Sequence, residues 1–497
     1  MFEDVRARFN EGFERCYPST TTVSVDLLAR IGVASRAENR AAAAQLVAIA
    51  ELFSYRLSRC SETEEWAVDT EAAVSAEVAA ELRIGQGLAG SRVRYARAMR
   101  ERLPKVGVVF AAGDIDYRMF QTIVFRTDLI TDPDVLSAVD AAVAAKVTRW
   151  PSLSQRRLAA QVDKIVAQAD ADAVRRRKER MADREIWIAD AGGGMSHIEG
   201  SLMSPDAHAL DKRLNALAAT VCEHDPRTRE QRRADALGAL AADADRLGCR
   251  CGRSDCAAGK RPASGPVVIH VIAEQAALDG HGLTAVAQIG AEGLVPPELL
   301  AELAASAKLV PLVHPGDAPP EPGYVPSRAL ADFVRCRDLT CRWPGCDRPA
   351  TDCDLDHTIP YADGGPTHAS NLKCYCRTHH LVKTFWGWRD TQLRDGTLIL
   401  TSPSGHTYVT TPGSALLFPN LCGPTGVIPL PPGAHAGPCG DRAAMMPKRR
   451  RTRAQNRAAR IATERHHNRM ARTGEKPVPT WASELTHAAG DGEPPPF

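Results

Sequence analysis

The chain has 497 residues, of which 44% are hydrophobic, 25% charged and 5% aromatic, more than one compact core accommodates, so two to four domains of roughly 100 to 200 residues are expected. This composition excludes a low-complexity or fibrous protein, and no run of about 18 uncharged apolar residues is present to span a bilayer. The net charge of +2 hides an asymmetry: residues 442–472 hold eleven Lys or Arg and one Glu, a net of +10 that leaves the rest near −8.

The chain opens with MFEDVRARFNEGFERCYPST, which is charged and lacks the apolar stretch of a secretion signal, so a cytoplasmic, intracellular protein compatible with the nucleoid is expected. From about residue 23 to 183 apolar residues recur at intervals of three and four (Leu46, Ile49, Leu52, Phe53) and breakers are sparse, which predicts packed helices. Within it, Thr131-Asp132-Pro133-Asp134 predicts a capped helix start. The texture changes at Arg184, where short alternating segments flank Ala191-Gly192-Gly193-Gly194 and predict a hairpin. A helix from Pro205 to about Cys222 and strand-like runs at 267–272 and 283–289 complete the predicted middle domain.

Pro and Gly dominate residues 314–323 and mark a boundary. Beyond the cysteine-rich segment, RDTQLRDGTLILTSPSGHTYVTT predicts a β-meander turning at Asp395-Gly396 and Ser404-Gly405. The expected fold class is therefore α+β multidomain, as follows. A largely α-helical N-terminal region spans 1–183, and a small α+β middle domain with a Cys-rich loop spans 184–315. A Pro/Gly linker at 316–328 leads to a C-terminal module with its meander at 329–411. A second Pro/Gly linker covers 412–440, and a basic tail at 441–497 reads as disordered when free and helical when bound.

Fourteen cysteines in a reducing compartment point to metal binding rather than disulfides, because nine of them fall in two clusters, 249–256 and 336–376. Cys16, Cys60, Cys222, Cys422 and Cys439 are isolated and read as small hydrophobes. Cys341 and Cys346 flank a Pro344-Gly345 turn, and Cys376 and His379 form a second pair at a helix entrance; together they make a Cys3His zinc set, with Cys336, Cys353 and Cys374 as alternatives. Cys249, Cys251 and Cys256 are a second zinc candidate, with His270 or Cys222 as fourth ligand. His197, His208, His224, His281 and His314 stand alone and read as surface or hydrogen-bonded histidines.

Inside the first frame, residues 353–359 and 371–374 read as two strands and 377–386 as a helix. In such a ββα arrangement Asp356 from the first strand and His380 from the helix can hold one divalent cation, Mg2+ or Mn2+, with positions open for a phosphate oxygen. His357 faces the other side of the strand and is free to take a proton from water, since imidazole titrates near neutrality. The Asn371 amide can tether the loop that carries His357. Trp343, Phe385, Trp386 and Trp388 are expected to pack in the small module.

These residues resemble the HNH endonuclease motif in its zinc-stabilised ββα-metal form. The resemblance covers about 50 residues and implies His357 as general base, Asn371 as the orienting Asn, and Asp356 and His380 as ligands of the catalytic cation. Two features depart from the commoner pattern: four residues separate the first cysteine pair, and His379 stands where many relatives have Cys. More broadly, residues 247–280 with DLDHTIPYADGGPTH and KTFWGW resemble the 13E12 repeat family, which joins a long N-terminal domain to a C-terminal HNH module.

The expectation is thus a metal-dependent endonuclease that hydrolyses DNA phosphodiester bonds, with structural zinc. Lys448, Arg449, Arg450, Arg451 and Arg453 would supply sequence-independent affinity for phosphates. The alternative is a non-catalytic, zinc-stabilised DNA-binding or scaffolding protein, and RNA is a third substrate class. DNA is the expected partner, with no membrane and no small-molecule cofactor.

Overall fold

The computed structural model describes residues 22–60, 63–150, 154–174, 185–192, 195–256, 258, 271–278, 286–288, 300, 304, 308–428 and 445–473. The chain divides into two units. The first comprises residues 1–82, 86–176 and 446–497, and the second residues 83–85 and 177–445. The fold is multidomain α+β.

Among the described residues up to 174 in the first unit, seven α-helices follow one another: α1 Thr22–Arg59, α2 Thr70–Leu82, α3 Gln86–Arg97, α4 Pro104–Ala111, α5 Tyr117–Thr127, α6 Pro133–Val147 and α7 Gln155–Ala169. Their apolar stripes bury Leu46, Val74, Val93, Phe110, Phe120, Ile123, Val143 and Val162, so the three-to-four periodicity translates directly into a core. A π turn, Ala98–Arg102, widens the end of α3 before Pro104 starts the next helix. The capping signal at Asp132 is realised: its carboxylate accepts from the Asp134 and Val135 amides, with Pro133 in the first turn. Buried Asp140 of α6 caps a different helix, accepting from Lys105 N at 2.8 Å and Val106 N at 3.0 Å, which locks α4 onto α6.

The described part of the second unit begins with a hairpin, β1 Glu185–Gly192 and β2 Met195–Ser201, bulged between Asp190 and Gly192. The glycines at its predicted tip, Gly193 and Gly194, lie outside the described residues. Helices α8 Ser204–Ala218 and α9 Arg229–Ala241 bury Leu214, Leu217 and Ala236 between them. A Thr228/Gln231 capping box starts α9. Short strands β3 Val271–Ala273 and β4 Val286–Gln288 pair antiparallel, with α10 Gln275–Leu278 between them. The remainder of the predicted strands at 267–272 and 283–289 lies outside the described residues, as do Cys16, Cys439, His270 and His281.

The cysteine-rich module follows: α11 Arg328–Asp338, the antiparallel pair β5 Cys353–His357 and β6 Leu372–Cys376, α12 Arg377–Phe385, and the meander β7 Arg389–Gln392, β8 Leu398–Thr401 and β9 Thr407–Thr410. Gly396 and Gly405 take positive φ at the two predicted turns.

Three expectations about connections are corrected. Residues 316–328 do not act as a spacer: Glu321 pairs with Thr367 through the backbone and its carboxylate accepts from Ser327, while Gly316 O accepts from Gly426 N. The described part of the second linker, 412–428, also packs on the module, with Phe418 buried against Ile272 and Thr425 O accepting from Arg394 Nε. Finally, the basic tail is not disordered through residues 453–473, where it forms α13 Arg453–Thr473 within the first unit. Ile461 and Asn468 of α13 are buried, and Asn468 donates to the Asp172 and Val174 carbonyls.

Candidate functional site

Cys341, Cys346, Cys376 and His379 bring four ligand atoms within 4.8 Å of one another and can hold a structural ion such as zinc. The Cys341 and Cys376 sulfurs lie 3.5 and 3.3 Å from His379 Nδ1, and Cys341 Sγ accepts from the Cys376 amide. The two loops meet because Cys353 pairs with Cys376 at the end of the β5–β6 ladder, which delivers Cys376 to the entrance of α12. Trp343 stacks on the His379 ring at 4.7 Å and meets Trp388 at a tilt with 4.3 Å between rings, and both indoles are buried beside the cluster. The alternatives fall elsewhere: Cys353 donates to the Pro349 carbonyl, Cys374 to that of Val334, and Cys336 packs beside Phe418.

A second cluster joins Cys249, Cys251 and Cys256 to Cys222, again within 4.8 Å. Cys222, read from sequence as isolated or as one of two candidates for the fourth ligand, sits in the loop after α8. Its Sγ is 3.5 Å from Cys249 Sγ. Buried Asp225 braces this loop, bridged by Arg227 and by the Arg250 amide. Burial opposes ionisation of Cys249, yet hydrogen bonds from Cys251 and Cys222 lower its thiol to about 7, while burial and the Cys249 contact push Cys222 up to about 12.

Between the first cluster and the meander lies a chain of buried charges. Asp356 points toward α12, where its Oδ1 is 3.3 Å from His380 Nε2. Its Oδ2 is taken by Lys373 at 2.7 Å, opposite on β6, and by Lys383 at 2.8 Å, one turn beyond His380 on α12. Burial alone would raise the Asp356 pKa, but Lys373, Lys383 and His380 hold the carboxyl well below its usual range. His380 Nδ1 is 2.8 Å from Asp354, the next residue on the same face of β5. Burial lowers the imidazole pKa, and the two carboxylates more than reverse this. Asp390 completes the chain, 2.9 Å from Lys373 and accepting from Tyr375 OH.

His357 occupies the opposite face of β5, as strand alternation requires. Its Nε2 lies 2.9 Å from Thr367 Oγ1, whose hydroxyl donates to Tyr324 O. Because that hydroxyl proton is already committed, Nε2 carries the imidazole proton and Nδ1 is the basic nitrogen. Tyr324 stacks over the ring at 5.3 Å and Tyr361 approaches edge-on at 5.7 Å. Burial leads in lowering the His357 pKa, with Lys373 and Lys383 adding to it against Asp356. Asn371 bridges the adjoining loop with its amide: Oδ1 accepts from Ile359 N, and Nδ2 donates to the Ile359 and Pro366 carbonyls.

The structure thus brings together Asp356, His357, Asn371, His380 and the Cys3His set. Sequence reasoning missed Asp354, Tyr324, Thr367, Lys373 and Lys383. Asp354 and Lys373 had a signal in strand alternation, while Tyr324 and Thr367 had none, since they reach His357 through loops. Three residues of the expected phosphate-binding run have partners in the first unit: Lys448 pairs with Glu65, Arg449 with Asp69 and the Trp66 and Ala67 carbonyls, and Arg453 with Asp69. Acidic groups nearly 400 residues earlier neutralise them, which local composition does not disclose. Arg450 and Arg451 are exposed. His314 is hydrogen-bonded to Gly423 O and Gly316 N, as expected of a lone histidine.

Residues 33–338 match the family described as a domain of unknown function, DUF222. The likeness to the 13E12 repeat family is therefore replaced by DUF222. The chain is 46% identical to the uncharacterized protein Rv3776 of Mycobacterium tuberculosis H37Rv, with 89% of each chain covered. It is 43% identical to the uncharacterized protein Rv2100 of the same strain, over 88% of this chain and 87% of that one. No solved structure matches. Among the described residues, no helix is long and apolar enough to cross a membrane.

Proposed function

We propose that this chain, which belongs to the DUF222 family, is a metal-dependent endonuclease of the HNH type acting on DNA. Members of the family are often associated with HNH nuclease domains. The observation that carries the reading is the placement of His357 and of Asp356 with His380 on opposite faces of one strand, beside a Cys3His cluster that can fix the whole ββα element.

Asp356 Oδ1 and His380 Nε2 are close enough to share one ion, and Asp354 on His380 Nδ1 orients the ring as a carboxylate partner of a metal ligand does. A bound Mg2+ or Mn2+ would supply charge stabilisation for the pentavalent phosphorus and the leaving 3′ oxygen. The protein's own part begins at His357, whose Nδ1 takes a proton from water as the water oxygen bonds to phosphorus and the bond to the 3′ oxygen breaks. Thr367 and the Asn371-braced loop hold the ring. Lys383, bonded to the His357 carbonyl at 2.6 Å, ties α12 to that strand.

Full-length protein incubated with supercoiled plasmid and Mg2+ or Mn2+ is expected to nick it, and His357→Ala to lower the rate by about 10² to 10⁴. Equal, negligible nicking by both proteins would sink the reading. A second reading, a non-catalytic zinc-stabilised DNA-binding or scaffolding protein, is favoured by the deep burial of His357 and by the two lysines on Asp356. Salt-sensitive binding without cleavage, and zinc alone on metal analysis, would support it. Parallel ribo- and deoxyribo-substrates separate RNA from DNA.

A further inference from the structure

A cleft of about 560 Å3 opens within the first unit between α13 and the chain at Arg102, Ile130 and Thr131. Arg102, Arg457, Arg465, Arg469 and His466 line it, and no carboxylate does. Apart from Thr131, its remaining wall is apolar, formed by Ile130, Ile461 and three alanines of α13. Arg457, Ile461, Arg465 and Arg469 follow at intervals of four and so form one ridge of the helix.

Each guanidinium is held from behind. Arg102 donates to the Thr127 and Ile130 carbonyls, Arg457 to Asp128 at 2.7 Å, Arg465 to Leu129 O and to Asp170 at 2.6 Å, and Arg469 to Asp172 at 3.0 Å. These anchors fix the cations beside one another while leaving the carboxylates outside the cleft. Burial, followed by the like charge of Arg457, lowers the Arg102 pKa. Four planar donors facing an apolar floor match a ligand with concentrated negative charge on one side and an uncharged body on the other.

We propose that this cleft binds a phosphate-bearing anion, its phosphoryl group between Arg102, Arg457, Arg465 and Arg469 and its uncharged portion against Ile130, Ile461 and Ala458. Phosphoryl groups are carried by free nucleotides and by nucleic-acid ends alike, and the recognition chemistry is common to both. The site is separate from the ββα residues and does not depend on the nuclease reading.

Calorimetric titration of the full chain at fixed salt with tripolyphosphate, ATP and a 5′-phosphorylated oligonucleotide tests it. Saturable binding of one or more of these probes is expected. Ala458→Glu and Ala462→Glu, which add a carboxylate to the lining without removing any contact, should each weaken it at least about tenfold. Ala459→Glu, the same charge on a residue outside the lining, should leave it within about twofold, and His357→Ala should bind as wild type. Tighter binding of ATP than of tripolyphosphate identifies a free nucleotide. Preference for the oligonucleotide over its dephosphorylated form identifies a strand end. The proposal is overturned if no probe saturates at millimolar concentration, or if the variants inside and outside the lining bind alike while remaining folded by circular dichroism.

Discussion

Asp338 has no exposed surface, and it survives as a carboxylate because three donors converge on it. Arg337 and Arg342 lie at 2.9 and 3.1 Å, and the Cys374 amide at 2.8 Å. Burial pushes its pKa up, and the two arginines override that to hold it low. Asp338→Asn would leave both arginines buried with a neutral partner, so a loss of about 3 to 5 kcal/mol is expected by chemical denaturation. Asn371→Ala should cost about 1 to 3 kcal/mol, because the partly buried Ile359 amide loses its acceptor and the Ile359 and Pro366 carbonyls their donor. If the loop it braces aims His357, that variant also loses cleavage under conditions where circular dichroism shows it folded, which separates aim from folding.

At the scale of elements, α13 is held by paired charges along its length: Arg457 and Arg460 on Asp128, Arg465 on Asp170, and Arg469 and Arg472 on Asp172. Burial would raise the Asp128 pKa, but Arg457 and Arg460 bring it below normal, and Arg469 leads the groups that lower Asp172. Groups depressed in the folded state contribute stability above their unfolded pKa, near 4, and lose it as pH falls through the lower folded value. Docking of α13 should therefore be constant through neutrality and release only below about pH 4, read as protease cleavage within residues 453–473. Release on going from pH 8 to 6 would contradict this.

The helices of the first unit and the β5–β6–α12 order were legible because period and cap signals are local. The four Cys3His ligands were legible for a related reason: thiol pairs and a histidine at short spacing leave few alternatives. What escaped was long-range pairing. The sequence at 441–472 is a run of cations whose acidic partners stand about 300 to 400 residues upstream, and Lys373 and Lys383 gain meaning only when β6 and α12 fold onto Asp356.

At the scale of the whole molecule, each of the two four-residue clusters among the described residues can hold an ion, so metal analysis is expected to find zinc at both. Stripping the zinc should destabilise the ββα element while leaving the helices of the first unit, because the Cys3His set joins the 341–346 loop to the start of α12. Cys376→Ser should lose one ion, Cys251→Ser the other, and neither both.

The return of α13 to the helices at the beginning of the chain also sets an order in time. During synthesis α1–α7 emerge first, yet the residues that neutralise Asp69, Asp128 and Asp172 follow only after the stretch 177–445 has been made. At roughly 5 to 20 residues per second that is a lag of about 10 to 50 s. Throughout it the acidic flank stands uncovered on the ribosome, and a chain cut short by premature termination keeps it so.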